Sequence, residues 1–137
     1  FLEKDVFGIE GAWRAVYFFI IFSGGATVGL KKRLEFLKIK HIHLGVKDKV
    51  ATFENLCKSL QIKPSEVLYM GDDLPDYDVM KLAGLPTCPN DAVQEIKDIS
   101  MYVSDKKGGE GCVRDVIEKV MKVQGTWRKF ENENINN

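Results

Sequence analysis

The segment Val67-Leu68-Tyr69-Met70-Gly71-Asp72-Asp73-Leu74-Pro75-Asp76 closes an apolar run with a glycine and then sets three carboxylates within five residues. Acids crowded this closely repel one another. A hard cation such as Mg²⁺ relieves the repulsion, because it prefers carboxylate and water oxygens and takes one or two protein carboxylates beside a substrate phosphate. The bland alternative is that Asp76 caps a helix over 77–83 and the other acids are solvated. The segment taken alone supports both equally.

Two other stretches have chemical promise. Ser23-Gly24-Gly25 follows the apolar run ending at Phe22 and offers a hydroxyl and unencumbered backbone amides, which suit a phosphate. A lone Ser-Gly-Gly is nevertheless more often a plain turn. Gly45-Val46-Lys47-Asp48-Lys49 also follows an apolar run and opens a helical stretch with Asp48 as N-cap. The helix dipole disfavours a cation in the first turn, so Lys49 is either solvated or held there to meet an anion. What strengthens all three is their order, with a hydroxyl after one strand, a lysine after the next and acids after the third. At the carboxyl ends of one sheet they would converge on a phosphate and a metal.

The elements that must position them follow an α/β rhythm. Short apolar runs at 17–22, 41–44, 67–70, 85–88 and 101–103 alternate with amphipathic stretches, which predicts a doubly wound parallel sheet of about five strands and no separate cap domain. Leu30, Leu34 and Leu37 give one helical stripe, and Val50, Phe53, Cys57 and Leu60 a second. Val113, Val116, Ile117, Val120 and Met121 give a third, clearer one. One domain over 1–127 and a loose polar tail over 128–137 are expected, because the Asn-rich end is too poor in apolar groups to offset the entropy of ordering.

Composition narrows the classes of function. Twenty Lys plus Arg balance twenty Asp plus Glu, so no basic field recommends nucleic acid or a membrane surface. The longest apolar run, 15–22, is far short of the roughly 20 residues a spanning helix needs. Cys57, Cys88 and Cys112 are odd in number and widely spaced, which suggests neither a disulfide framework nor a zinc site and fits a cytoplasmic setting. His41 and His43 alternate in a short strand and receive no catalytic role.

The order Ser23, Lys49, Gly71-Asp72-Asp73-x-x-Asp76 resembles the second, third and fourth motifs of haloacid-dehalogenase-type phosphatases. Gly45-Val-Lys-Asp-Lys49, Tyr69-Met-Gly-Asp-Asp-Leu-Pro-Asp76, Lys107-Gly-Gly-Glu-Gly-Cys-Val-Arg114 and Val123-Gln-Gly-Thr-Trp127 are similar to the 3-deoxy-D-manno-octulosonate 8-phosphate phosphatase family, from about Lys4 to Trp127. The resemblance implies a Mg²⁺-dependent sugar-phosphate phosphatase of lipopolysaccharide synthesis that works through an aspartyl-phosphate. It implies that Ser23, with Gly24, binds the phosphoryl group and that Lys49 neutralises it. It also implies that Asp72, with Asp73, holds the metal and that Asp76 orients Lys49 or metal-bound water. The loop Gly108, Gly109, Glu110 and Gly111, with Arg114 beyond it, would reach an active site across a homotetramer.

The sequence departs from the family in two places. The family's first motif, Asp-x-Asp-Gly-Val, which carries the nucleophile, does not occur in the 137 residues. Asp76-Tyr77-Asp78 lies after the fourth-motif strand and cannot replace it. The chain begins at Phe1, and a fragment is expected whose nucleophile strand lies upstream and which by itself neither hydrolyses esters well nor assembles normally. The alternative is a degenerate module that binds phosphate and metal without turnover. Secondly, no breaker separates helix from strand in Trp13-Arg14-Ala15-Val16-Tyr17-Phe18-Phe19, and packing Tyr17 to Phe19 in a covered strand would cost about 1–3 kcal/mol.

Overall fold

The computed structural model describes residues 20–23, 41–44 and 46–125. Gly24, the Leu30–Leu37 stripe, the 13–19 crowding and the 128–137 tail lie outside the described residues. The strands are β1 (Ile20–Ser23), β2 (His41–Leu44), β3 (Leu68–Met70), β4 (Leu85–Cys88) and β5 (Tyr102–Val103). The helices are α1 (Lys49–Ser59), α2 (Tyr77–Leu82), α3 (Gln94–Ile99) and α4 (Cys112–Gln124). From β2 onward strand and helix alternate, and every described strand pair is parallel.

One continuous five-stranded sheet is not observed. The described strands form a three-stranded sheet, β3-β4-β5, and a separate pair, β1-β2, with no ladder joining β2 to β3 among the described residues. Apolar runs mark which segments are extended, but the choice of neighbour rests on hydrogen bonds between segments far apart in sequence, which the runs do not encode.

Helix α1 forms where the sequence predicts it. Asp48 is its N-cap, its carboxylate accepting from the Ala51 N–H at 3.0 Å. Its buried face is Phe53 and Cys57, with Val50 packed beside them. The helix ends at a left-handed residue, Gln61 (φ 55°), after which the Ile62 N–H donates back to the Cys57 carbonyl at 3.0 Å and Ile62 joins the core.

The short αβ turn after α2 depends on Gly84. A Cβ there would lie 1.9 Å from the Ser65 carbonyl oxygen, and the Gly84 N–H donates to the Pro64 carbonyl at 2.9 Å. The turn Pro64–Glu66 can therefore close against the start of β4 only if position 84 lacks a side chain.

Two apolar clusters hold these pieces. Phe53, Cys57, Val79 and Ala83 form one, and Met80, Cys88, Ala92 and Ile96 form the other. Neighbouring residues of α2 serve different clusters, and Tyr69 of β3 packs against both. Helix α4 buries Cys112, Val116, Ile117 and Met121, while Val113 and Val120 of the predicted stripe are half-buried. A carboxylate fastens α4 to β5: Asp115 Oδ2 accepts from the Tyr102 and Ser104 hydroxyls, each at 2.7 Å, and Oδ1 pairs with Lys119 at 2.5 Å. No helix of the described residues is long and apolar enough to cross a membrane.

Candidate active site

Lys49 is the first residue of α1, and Asp76 ends the single turn Leu74–Asp76 that follows β3. The two meet with Lys49 Nζ 2.8 Å from Asp76 Oδ1, both side chains largely buried. Asp76 Oδ1 also accepts from the Tyr69 hydroxyl at 2.7 Å, and Oδ2 accepts from the Asp72 N–H at 3.2 Å. The helix-cap reading of Asp76 is thereby overturned. Its side chain makes no capping bond to α2, because a buried carboxylate is held better by a cation and a hydroxyl than by the weak end of a six-residue helix. The same ion pair explains a lysine at the positive end of α1, since the Asp76 carboxylate offsets the dipole.

Gly71 makes this approach possible. A Cβ at that position would lie 2.5 Å from the Asp76 Cβ and 2.7 Å from the Met80 sulfur. The glycine of the acid segment is thus required by the close return of Asp76 over the end of β3, a demand that no turn rule applied to the sequence had shown.

Asp72 and Asp73 separate in role. Asp73 Oδ1 accepts from the Leu74 N–H at 2.7 Å and starts the turn that delivers Asp76. Asp72 is exposed and has no ion-pair partner among the described residues. Partial burial pushes its carboxyl up, and the charges of Asp76 and Asp73 act in the same direction, against the weaker pull of its own backbone N–H and of Lys49. A bare carboxylate destabilised by two others is the environment a hard cation relieves, so Asp72 fits a metal. Among the described residues no group of three His, Cys, Asp or Glu side chains is close enough to hold an ion, so further donors would have to be water, substrate or other residues.

The remaining predicted residues lie as follows. Ser23 ends β1 in register with Leu44, which ends β2 five residues before Lys49, so its backbone stands at the carboxyl edge of that pair. The glycine loop is shaped by left-handed Gly109 (φ 76°) and Gly111 (φ 99°) and is tied to the loop after β4 by the Gly108 N–H, which donates to Asp91 Oδ1 at 2.8 Å. Glu110 is exposed, and Arg114 Nε lies 3.9 Å from Glu118 Oε2. Among the described residues, the hydrogen bonds of the loop 108–111 run to Asp91 and within the loop rather than to Lys49, Asp72 or Asp76. The connection between the two regions is indirect: Cys112 Sγ is 3.8 Å from Met70 Sδ, and the Val93 N–H donates to the Asp72 carbonyl at 3.0 Å.

Neither Tyr69 nor Phe53 receives a role at the site from the sequence, where Phe53 belongs only to the core stripe of α1. Their signal is the four-residue step from Lys49 to Phe53, which puts both on one face of α1. The Phe53 ring meets the Tyr69 ring edge-on at 6.4 Å.

A lysine and three acids gathered after parallel strands, with one carboxylate exposed, make an arrangement suited to a phosphoryl-handling hydrolase of α/β type. Residues 34–117 match the model of the haloacid dehalogenase-like hydrolases. The chain is 33% identical over 124 residues to the 3-deoxy-D-manno-octulosonate 8-phosphate phosphatase of Yersinia pestis, covering 90% of this chain and 66% of the relative. It is 31% identical over 135 residues to that of Escherichia coli K12, covering 98% of this chain and 72% of the relative. The crystal structure of the enzyme from Moraxella catarrhalis, in complex with magnesium, phosphate and a KDO molecule, superposes with a TM-score of 0.93 at 30% identity and covers 97% of this chain and 76% of that one. The chain therefore belongs to the 3-deoxy-D-manno-octulosonate 8-phosphate phosphatase family of haloacid dehalogenase-like hydrolases. It spans about two thirds to three quarters of the length of these relatives.

Proposed function

We propose that the complete protein carrying this chain is a Mg²⁺-dependent phosphomonoesterase that hydrolyses 3-deoxy-D-manno-octulosonate 8-phosphate. The observation that carries the reading is the buried Lys49–Asp76 pair beside the exposed carboxylate of Asp72. Asp76 holds Lys49 so that its remaining N–H groups can face a phosphoryl oxygen, and the preorganised ammonium offsets the charge gathering there during transfer. Ser23, with Gly24, would add hydrogen bonds to the same group from the end of β1. Mg²⁺ held by Asp72, with Asp73 as a supporting charge, would supply electrostatic stabilisation of the phosphoryl oxygens. The Asp-x-Asp nucleophile motif is absent from the 137 residues, and on this reading it comes from a segment outside them.

The relatives' names support the substrate, and the magnesium and phosphate bound by the Moraxella catarrhalis enzyme support the cofactor. A cytoplasmic homotetramer, with the loop 108–111 and Arg114 contributing to a neighbouring site, completes the proposal. Its test is phosphate release from 3-deoxy-D-manno-octulosonate 8-phosphate by the complete protein, with and without Mg²⁺. Turnover that EDTA abolishes and Mg²⁺ restores is expected. Binding of Mg²⁺ and phosphate without turnover would replace this reading with the binding-only module.

A further inference from the structure

Four side chains close a ring across the site. Lys49 and Phe53 stand one turn apart on α1, Phe53 packs edge-on against Tyr69, the Tyr69 hydroxyl donates to Asp76 Oδ1, and that same oxygen receives Lys49 Nζ. We propose that Tyr69 is a positioning residue for Lys49, acting through Asp76. The proposal rests on the phosphatase reading and adds a group to it.

The physical need is specific. A carboxylate turns easily about its terminal torsion, which is broad and roughly two-fold, so an ion pair alone does not choose between its oxygens. Here the two oxygens have different duties: Oδ1 faces Lys49, and Oδ2 holds the backbone N–H of Asp72. The Tyr69 hydroxyl breaks that symmetry, because beside a carboxylate a phenol can only donate. It stays a donor throughout the accessible range, since burial, followed by the Asp76 hydrogen bond and charge, raises its pKa far above the ordinary phenol value. The Phe53 edge fixes the ring plane, so the hydroxyl is aimed by the same helix that bears Lys49.

The test is Tyr69→Phe, which removes the hydroxyl and keeps the ring against Phe53. In the complete protein kcat should fall about tenfold with KM changed less than about twofold, a loss in keeping with one hydrogen bond to a charged group. In a Lys49→Ala background the same substitution should cost nothing more, because the two residues act as one unit. The ¹⁵N resonance of the Lys49 ammonium should broaden in Tyr69→Phe. Wild-type kcat in Tyr69→Phe, additive losses in the double variant, or an unchanged ammonium signal would each overturn the proposal. If the unsubstituted protein releases no phosphate, the phosphatase reading fails, and the ammonium signal still decides whether Tyr69 positions Lys49.

Discussion

Asp76 is largely buried and accepts bonds from a lysine, a phenol and a backbone amide, so removing either charged member of its pair with Lys49 leaves the other unanswered. Asp76→Asn would keep the shape and remove the charge that holds Lys49. Breaking a buried pair costs about 3–5 kcal/mol when one partner stays charged, so a marked drop in melting temperature and loss of turnover are expected together. Lys49→Ala leaves the buried Asp76 carboxylate with only Tyr69 and the Asp72 amide, so it should abolish most activity and also lower the melting temperature, while circular dichroism at low temperature shows the fold retained. Asp72 behaves differently, because its side chain is exposed and its bonds to Asp76 and Val93 run through the backbone, which a substitution leaves in place. Asp72→Asn should abolish Mg²⁺-dependent turnover and leave stability unchanged or slightly raised, since it relieves repulsion with Asp76 and Asp73. Retained Mg²⁺ dependence in that variant would remove Asp72 from the metal site.

Among the elements, α4 depends on Asp115 and α1 on its C-terminal turn. Burial pushes the Asp115 carboxyl up, but hydrogen bonds from Lys119, Ser104 and Tyr102 outweigh it and hold the group below the usual carboxylate range. A depressed carboxyl contributes stability above its unfolded pKa and loses it as the pH falls through the folded value. The docking of α4 should therefore be complete at neutral pH and weaken below the ordinary carboxylate range. Asp115→Asn should flatten that acid limb in thermal melts and cost about 1–3 kcal/mol, leaving buried Ser104 with a poorer acceptor. At the end of α1, Gln61 occupies left-handed space that favours glycine, so Gln61→Gly should raise stability by about 0.5–1 kcal/mol in urea unfolding. Gly84→Ala should do the opposite and by more, because its Cβ meets backbone that cannot yield.

At the level of the whole molecule, cation binding and stability are linked. Anything that binds only the folded state stabilises it, by about 1.4 kcal/mol when its concentration is ten times the Kd. Mg²⁺ should raise the melting temperature of the protein and fail to do so for Asp72→Asn, with EDTA reversing the rise. An equal rise in both would place the ion elsewhere. The assembly proposal is checked by sedimentation of the complete protein, where a tetramer is expected and a monomer at micromolar concentration would remove the loop 108–111 from a neighbour's site.

The features legible along the chain are local. Asp48 caps α1, the Phe53 and Cys57 stripe is buried, α4 follows its three-and-four spacing, and the acid segment leaves the end of a strand. These features rest on interactions within a few residues, which composition and spacing encode directly. The order of Ser23, Lys49 and Asp72 along the chain was legible for the same reason, as strand ends followed by loops. Residue types and spacing left open whether Asp76 caps α2 or serves the site, and the tertiary structure decided it by setting Asp76 on Lys49, as it decided that Gly71 is demanded by the return of Asp76 and that the described strands divide as two and three. Lys49 and Asp76 are 27 residues apart, and their contact exists only because the start of α1 is brought against the turn that follows β3. A buried charge selects its partner from whatever the packing delivers, and no local pattern records that choice.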